Sequence, residues 1–72
     1  MGASNTIKQI LIDKHLSITK LSEIMDKPRS TVANTLFKDN FQTATLLDYA
    51  EKLNCELIIR DRENGREYKI YP

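Results

Sequence analysis

The sequence predicts a mainly α fold, in which four short helices, two of them forming a helix-turn-helix, are followed by a C-terminal β-hairpin. Three observations predict it. Residues 18–37, ITKLSEIMDKPRSTVANTLF, carry two apolar stripes at helical spacing on either side of an Asp-Lys-Pro break. Residues 43–53 repeat that spacing through Leu46, Leu47, Ala50 and Leu53. From Cys55 the apolar period drops to two around Asn64-Gly65, the strongest short hairpin signal a sequence offers.

Taken in order, residues 1–5 show no periodicity and are expected to be a disordered or non-native start, leaving residues 6–72 as one domain. Asn5 or Thr6 caps a first helix over about 6–14, with Ile7, Ile10 and Leu11 as its apolar stripe. His15 and Ser17 lie at its end, where a lone histidine suits the surface near a helix C-terminus. The second helix, about 19–26, turns Leu21, Ile24 and Met25 inward. Pro28 can open the third, about 28–37, because a proline at the first helical position loses no needed N–H bond. Val32 and Leu36 form its buried face. Lys38-Asp39-Asn40 is a loop with Phe41 plugging the core beneath it. Thr43 caps the fourth helix, 43–53, and Asn54 takes the left-handed position that ends it.

The hairpin is expected over about 56–61 and 66–71. A two-residue type I′ loop at Asn64-Gly65 sets Glu63 opposite Arg66, Asp61 opposite Tyr68 and Ile59 opposite Ile70. One face, Leu57, Ile59, Tyr68 and Ile70, is expected to pack on the helices. The other carries Ile58 and Tyr71, with Arg60 opposite Lys69. Like charges directly opposed are unfavourable, so that register implies solvent, Glu67 or an acidic partner nearby. An isolated two-stranded ribbon is marginal. Ile58, Arg60, Lys69 and Tyr71 are therefore the expected dimer contacts, with a second subunit extending the sheet.

Composition narrows the function classes. Seventy-two residues, 40% apolar and 29% charged, make one small domain whose thin core often leans on oligomerisation. No apolar run approaches a membrane span and no signal-peptide pattern begins the chain. One cysteine excludes an internal disulfide and fits a reducing, cytoplasmic setting. With one histidine, one cysteine and no glycine-rich loop, neither an enzyme, a cofactor nor a metal site is expected. Net charge is only +1, but it is unevenly spread. Lys14, Lys20, Lys27, Arg29 and Lys38 face Glu23 and Asp26 in residues 14–38, a net of +3, whereas residues 39–56 carry −3.

With Val32 at zero, Ser30 falls near 160°, Asn34 near 200° and Thr31 near 260° around the third helix, at about 100° per residue. These hydrogen-bonding side chains share the outward face, and Arg29 reaches past the helix end. Such a helix is equipped to read base edges in a major groove. Phe37, at about 140° on the same wheel, either folds back on Phe41 or the fourth helix, or stands out as an anchor for a thymine methyl or a protein partner.

At the level of family, the chain resembles the Cro and phage-repressor (XRE-type) class of helix-turn-helix regulators. It is most similar to small bacterial and phage-borne members whose second half reads like LFKDNFQTATLLDYAEKLNCELIIRD. The resemblance covers roughly residues 6–60 and implies a four-helix, lambda-repressor-like core with an added hairpin. By position it implies base contacts from Arg29, Ser30 and Asn34, with Thr31 beside them. It puts Thr19, Lys20 and Lys38 near phosphates, and Lys27 joins these lysines. The family has alanine where Ser22 stands, and serine is still small enough for close helix approach. It has glycine in the turn where this chain has Asp26, which tolerates the left-handed region better than most residues. The resulting expectation is a homodimeric repressor, encoded by a bacterium, phage or mobile element, that binds a short palindromic operator in double-stranded DNA. The alternative is an antirepressor or modulator that docks on another regulator; Asp26 and Phe37 favour it.

Overall fold

The computed structural model describes residues Gly2–Tyr71; Met1 and Pro72 lie outside them. It has four helices followed by a two-stranded antiparallel hairpin. The chain divides into two compact units, residues 1–41 and 42–72.

The first unit contains α1 (Ala3–Asp13), α2 (Ile18–Met25) and α3 (Arg29–Lys38). Each helix buries a pair of apolar side chains one turn apart: Ile7 and Leu11, Leu21 and Met25, Val32 and Leu36. Helices α2 and α3 pack on each other. Ser22 is buried in α2, its hydroxyl donating to the Thr19 carbonyl at 2.6 Å. A larger side chain there would hold the helices apart.

Helix α1 starts at Ala3, so residues 3–5 belong to it rather than to a disordered start, and neither Asn5 nor Thr6 is its cap. The cause lies 35 residues away. The Ser4 N–H donates to the Asp39 carboxylate at 2.9 Å, and the buried Ser4 hydroxyl donates to the Leu36 carbonyl at 2.6 Å. A carboxylate brought in from the end of α3 thus serves an unpaired donor in the first turn of α1. That bond holds the Asp39 carboxyl below its usual pKa, the nearby Lys8 charge acting in the same direction. A Cβ at Gly2 would lie 2.5 Å from Asp39 Oδ2, so any larger residue there would have to push that carboxylate aside.

Three helices in the chain end in the same way. The N–H groups of His15 and Leu16 donate to the carbonyls of Ile12 and Leu11, closing α1. Those of Asp26 and Lys27 donate to Glu23 and Ser22, closing α2. Asn54 and Cys55 bond Glu51 and Ala50 at the end of α4. This double bond pattern places one left-handed residue after each helix. α3 ends with the single bond from Asp39 to Thr35. The left-handed residues that end the four helices, His15, Asp26, Asp39 and Asn54, all have side chains.

The second unit contains α4 (Thr43–Lys52), β1 (Ile58–Arg60) and β2 (Glu67–Lys69). Leu47, Tyr49 and Leu53 are buried; Leu46 and Ala50 are half-buried. Tyr49 was not among the expected inward residues, although Leu46, Tyr49, Ala50 and Leu53 follow i, i+3, i+4, i+7 spacing.

The hairpin register differs by two residues from the one expected. Ile58 pairs with Lys69, Ile59 with Tyr68 and Arg60 with Glu67. The loop therefore has four residues, 62–65, and of Asn64 and Gly65 only Gly65 has positive φ, at 75°. Side chains favour this longer loop. Asp61 Oδ1 accepts the Glu63 N–H and Asn64 Oδ1 accepts the Arg66 N–H, both at 2.9 Å. A two-residue slip keeps each side chain on its face but changes its neighbour. Arg60 now faces Glu67 instead of Lys69 and holds it by Nε at 3.0 Å and Nη2 at 2.6 Å. Lys69 pairs with Glu56 at 3.1 Å. The like-charge opposition is gone. The expected packing face is half right: Leu57 and Ile70 are half-buried, but Ile59 and Tyr68 stand 60% and 51% exposed.

Candidate nucleic-acid interface

The candidate site is the outward face of α3 with the turn before it. Pro28 is the N-cap rather than the first helical residue, at φ −59° and ψ 143°, and its carbonyl accepts the N–H groups of Thr31 and Val32. Proline suits both positions, since neither needs its missing donor. Helix α3 begins one residue late, at Arg29, and extends to include Lys38. Asp26, at φ 55° and ψ 47°, turns the chain between the helices. Ser17 caps α2, its hydroxyl accepting the Lys20 N–H at 3.0 Å.

Burial of Val32 and Leu36 fixes which way α3 faces. Ser30, Thr31 and Asn34 are exposed, and their side chains form no hydrogen bond among the described residues. With Ala33 and Phe37 they line a shallow, open concavity of about 530 Å³. Arg29 stands apart from that group. Its Nε donates to Thr19 Oγ1 at 3.0 Å, a link between the first turns of α3 and α2. The link restrains the guanidinium while its two Nη groups stay without partners among the described residues. Thr19 thereby positions Arg29, a role its assignment to a phosphate did not include. Thr35 is turned inward on its own helix, donating to the Thr31 carbonyl at 2.9 Å.

The cations surround this face in sequence rather than lining the concavity. Lys27 follows Asp26 in the turn, and Lys38 is in the last turn of α3, where its charge complements the helix dipole. Neither forms an ion pair among the described residues. Lys20 lies 3.7 Å from Glu23, with both side chains more than half exposed, a pair too solvated to hold it away from a phosphate.

Phe37 is 85% exposed. The fold-back on Phe41, which lies in the same unit, is therefore overturned. At about 140° from Val32 its Cβ points away from the buried stripe, and Phe41 is itself half-buried without it.

The residues expected at a dimer contact lie in the second unit. Ile58 is half-buried and Tyr71 is exposed under the Lys69 ammonium, 5.2 Å from its ring centroid. Arg60 and Lys69 are neutralised by Glu67 and Glu56 within the hairpin, so no acidic partner is needed. Cys55, half-buried, helps to line a hollow of about 260 Å³ with Leu47, Ala50, Leu57 and Ile70. No cluster of three or more metal-ligating side chains occurs among the described residues, and no helix there is long and apolar enough to cross a membrane. Comparisons with protein-family models, curated proteins and solved structures give no match.

Proposed function

We propose that this chain is a sequence-specific DNA-binding regulator of the Cro and phage-repressor kind, with α3 as its recognition helix. The observation that carries the reading is the outward face of α3. Ser30, Thr31 and Asn34 are exposed with unspent hydrogen-bonding capacity, and Arg29 is held at the helix start by Thr19. Asparagine pairs with adenine N6 and N7, arginine with guanine O6 and N7, and short hydroxyls adapt to either. Lys20, Lys27, Lys38 and Thr19 hold phosphates and set the register.

In this reading two copies place their α3 helices in successive major grooves of a short palindromic operator and repress by covering the promoter. The protein acts in the cytoplasm and needs no cofactor. The test is binding to fluorescent duplexes from the regions flanking its own gene, at two salt concentrations, with molecular mass measured alongside. Affinity falling steeply with salt, and tighter for one duplex than for scrambled DNA, supports the proposal. Equal, weak binding to every duplex refutes it.

A second reading is favoured by one observation, the exposure of Phe37 on the same face. There the fold is an antirepressor that docks α3 on another regulator, and Phe37→Ala abolishes that docking while DNA binding stays weak throughout.

A further inference from the structure

We infer that Phe37 reads a thymine C5-methyl group one base-pair step beyond the base read by Asn34, making two adjacent A·T pairs the preferred step under this part of α3. The inference rests on the DNA-binding reading above and deepens it. Asn34 and Phe37 share one concavity with Ser30, Thr31 and Ala33. They are three positions apart, about 4.5 Å along a helix axis at 1.5 Å per residue. That rise is close to the roughly 3.4 Å spacing of stacked bases along one strand. A helix lying along the groove with Asn34 on an adenine therefore presents Phe37 to the next pair. Thymine is the one base with an apolar group on the major-groove edge.

The surroundings favour DNA over a protein as the occupant. The apolar surface here is a single aromatic side chain beside half-buried Ala33, bordered by Ser30, Thr31 and Asn34. Protein-docking sites need a wider apolar centre. The segment from Lys14 to Lys38 carries a net +3, the sign a phosphate-walled groove requires.

The experiment uses the tightest duplex selected from a random library, with each thymine replaced singly by deoxyuridine, which removes only the methyl group. At one thymine, next to the adenine read by Asn34, the parent protein binds about fourfold more weakly, the worth of one buried methyl group. Phe37→Ala weakens binding to the thymine duplex and no longer distinguishes thymine from uracil there. Asn34→Ala loses the adenine preference but keeps the thymine-to-uracil ratio. Phe37 is exposed, so circular dichroism of Phe37→Ala stays that of the parent. The inference is overturned if no thymine shows the effect, or if Phe37→Ala retains it, while specific binding remains. If no duplex is selected at all, the DNA-binding reading fails first and takes the inference with it. Phe37→Ala losing a bound regulator protein, with the thymine-to-uracil ratio unmoved, assigns the ring to a protein surface instead.

Discussion

Replacing Asp26 by glycine should make the protein more stable. Asp26 closes α2 at φ 55° and ψ 47°, and its structural task is performed by backbone alone: its N–H bonds the Glu23 carbonyl, and the Lys27 N–H bonds that of Ser22. Glycine keeps both bonds. A non-glycine residue in this region costs about 1–2 kcal/mol, with aspartate at the lower end. Glycine gives back about 0.5–1 kcal/mol through the greater freedom of its unfolded chain. The net expectation for Asp26→Gly is a gain of about 0.5 kcal/mol, with an upper bound near 1. In a domain this small, that raises the melting temperature by about 2–8 °C. Asp26→Val should move the other way, because a β-branched side chain is a true outlier at positive φ. Thermal unfolding followed by circular dichroism reads both. The reasoning fails if Asp26→Gly melts no higher than the parent and Asp26→Val melts with it, since strain at this residue would then be absent.

The other predictions follow from named contacts. Arg29→Ala and Asn34→Ala should each weaken the selected duplex by about 1–3 kcal/mol and relax preference at one base position, read by competition binding against single-base variants. Leu21→Ala empties a fully buried site on α2 and should cost about 2–5 kcal/mol in urea unfolding. Asp39 has a lowered folded-state pKa, so its bond to Ser4 contributes stability above the ordinary carboxylate range and loses it as pH falls below about 4. Asp39→Asn should flatten that part of the acid dependence, measured as melting temperature against pH.

Elements with a local signature were legible in the sequence, and contacts between distant residues were not. The one-turn pairs Ile7/Leu11, Leu21/Met25 and Val32/Leu36 gave three helices because burial repeats at helical period. Asn54 was readable as a stop because the left-handed position selects few residue types. The early start of α1 was hidden because Ser4 is held by Leu36 and Asp39, more than thirty residues away. In the hairpin the local signal misled: Asn-Gly favours a two-residue loop, but Asp61 and Asn64 each bond a backbone N–H two residues on and stabilise a longer one. On α3 the outward placing of Ser30, Thr31 and Asn34 agreed with the wheel, since Val32 and Leu36 anchor it. The Arg29–Thr19 bond is not legible in the sequence, because no periodicity relates residues ten apart on different helices.

The hairpin loop also governs how the protein ages. Asn-Gly is the dipeptide most prone to deamidation, which begins when the glycine nitrogen attacks the asparagine side-chain carbon. Here the Gly65 N–H is engaged with the Asp61 carbonyl at 2.8 Å, and the Asn64 side chain is held by the Arg66 N–H. Both must let go before the ring can close. Deamidation at Asn64 is thus gated by opening of the loop, and its rate in stored protein is a covalent clock of that opening. An isoaspartate formed there adds one main-chain carbon between Cα of residue 64 and the Gly65 nitrogen and draws the accepting Oδ1 into the main chain, so a loop that has reacted once cannot re-form both bonds in the same register.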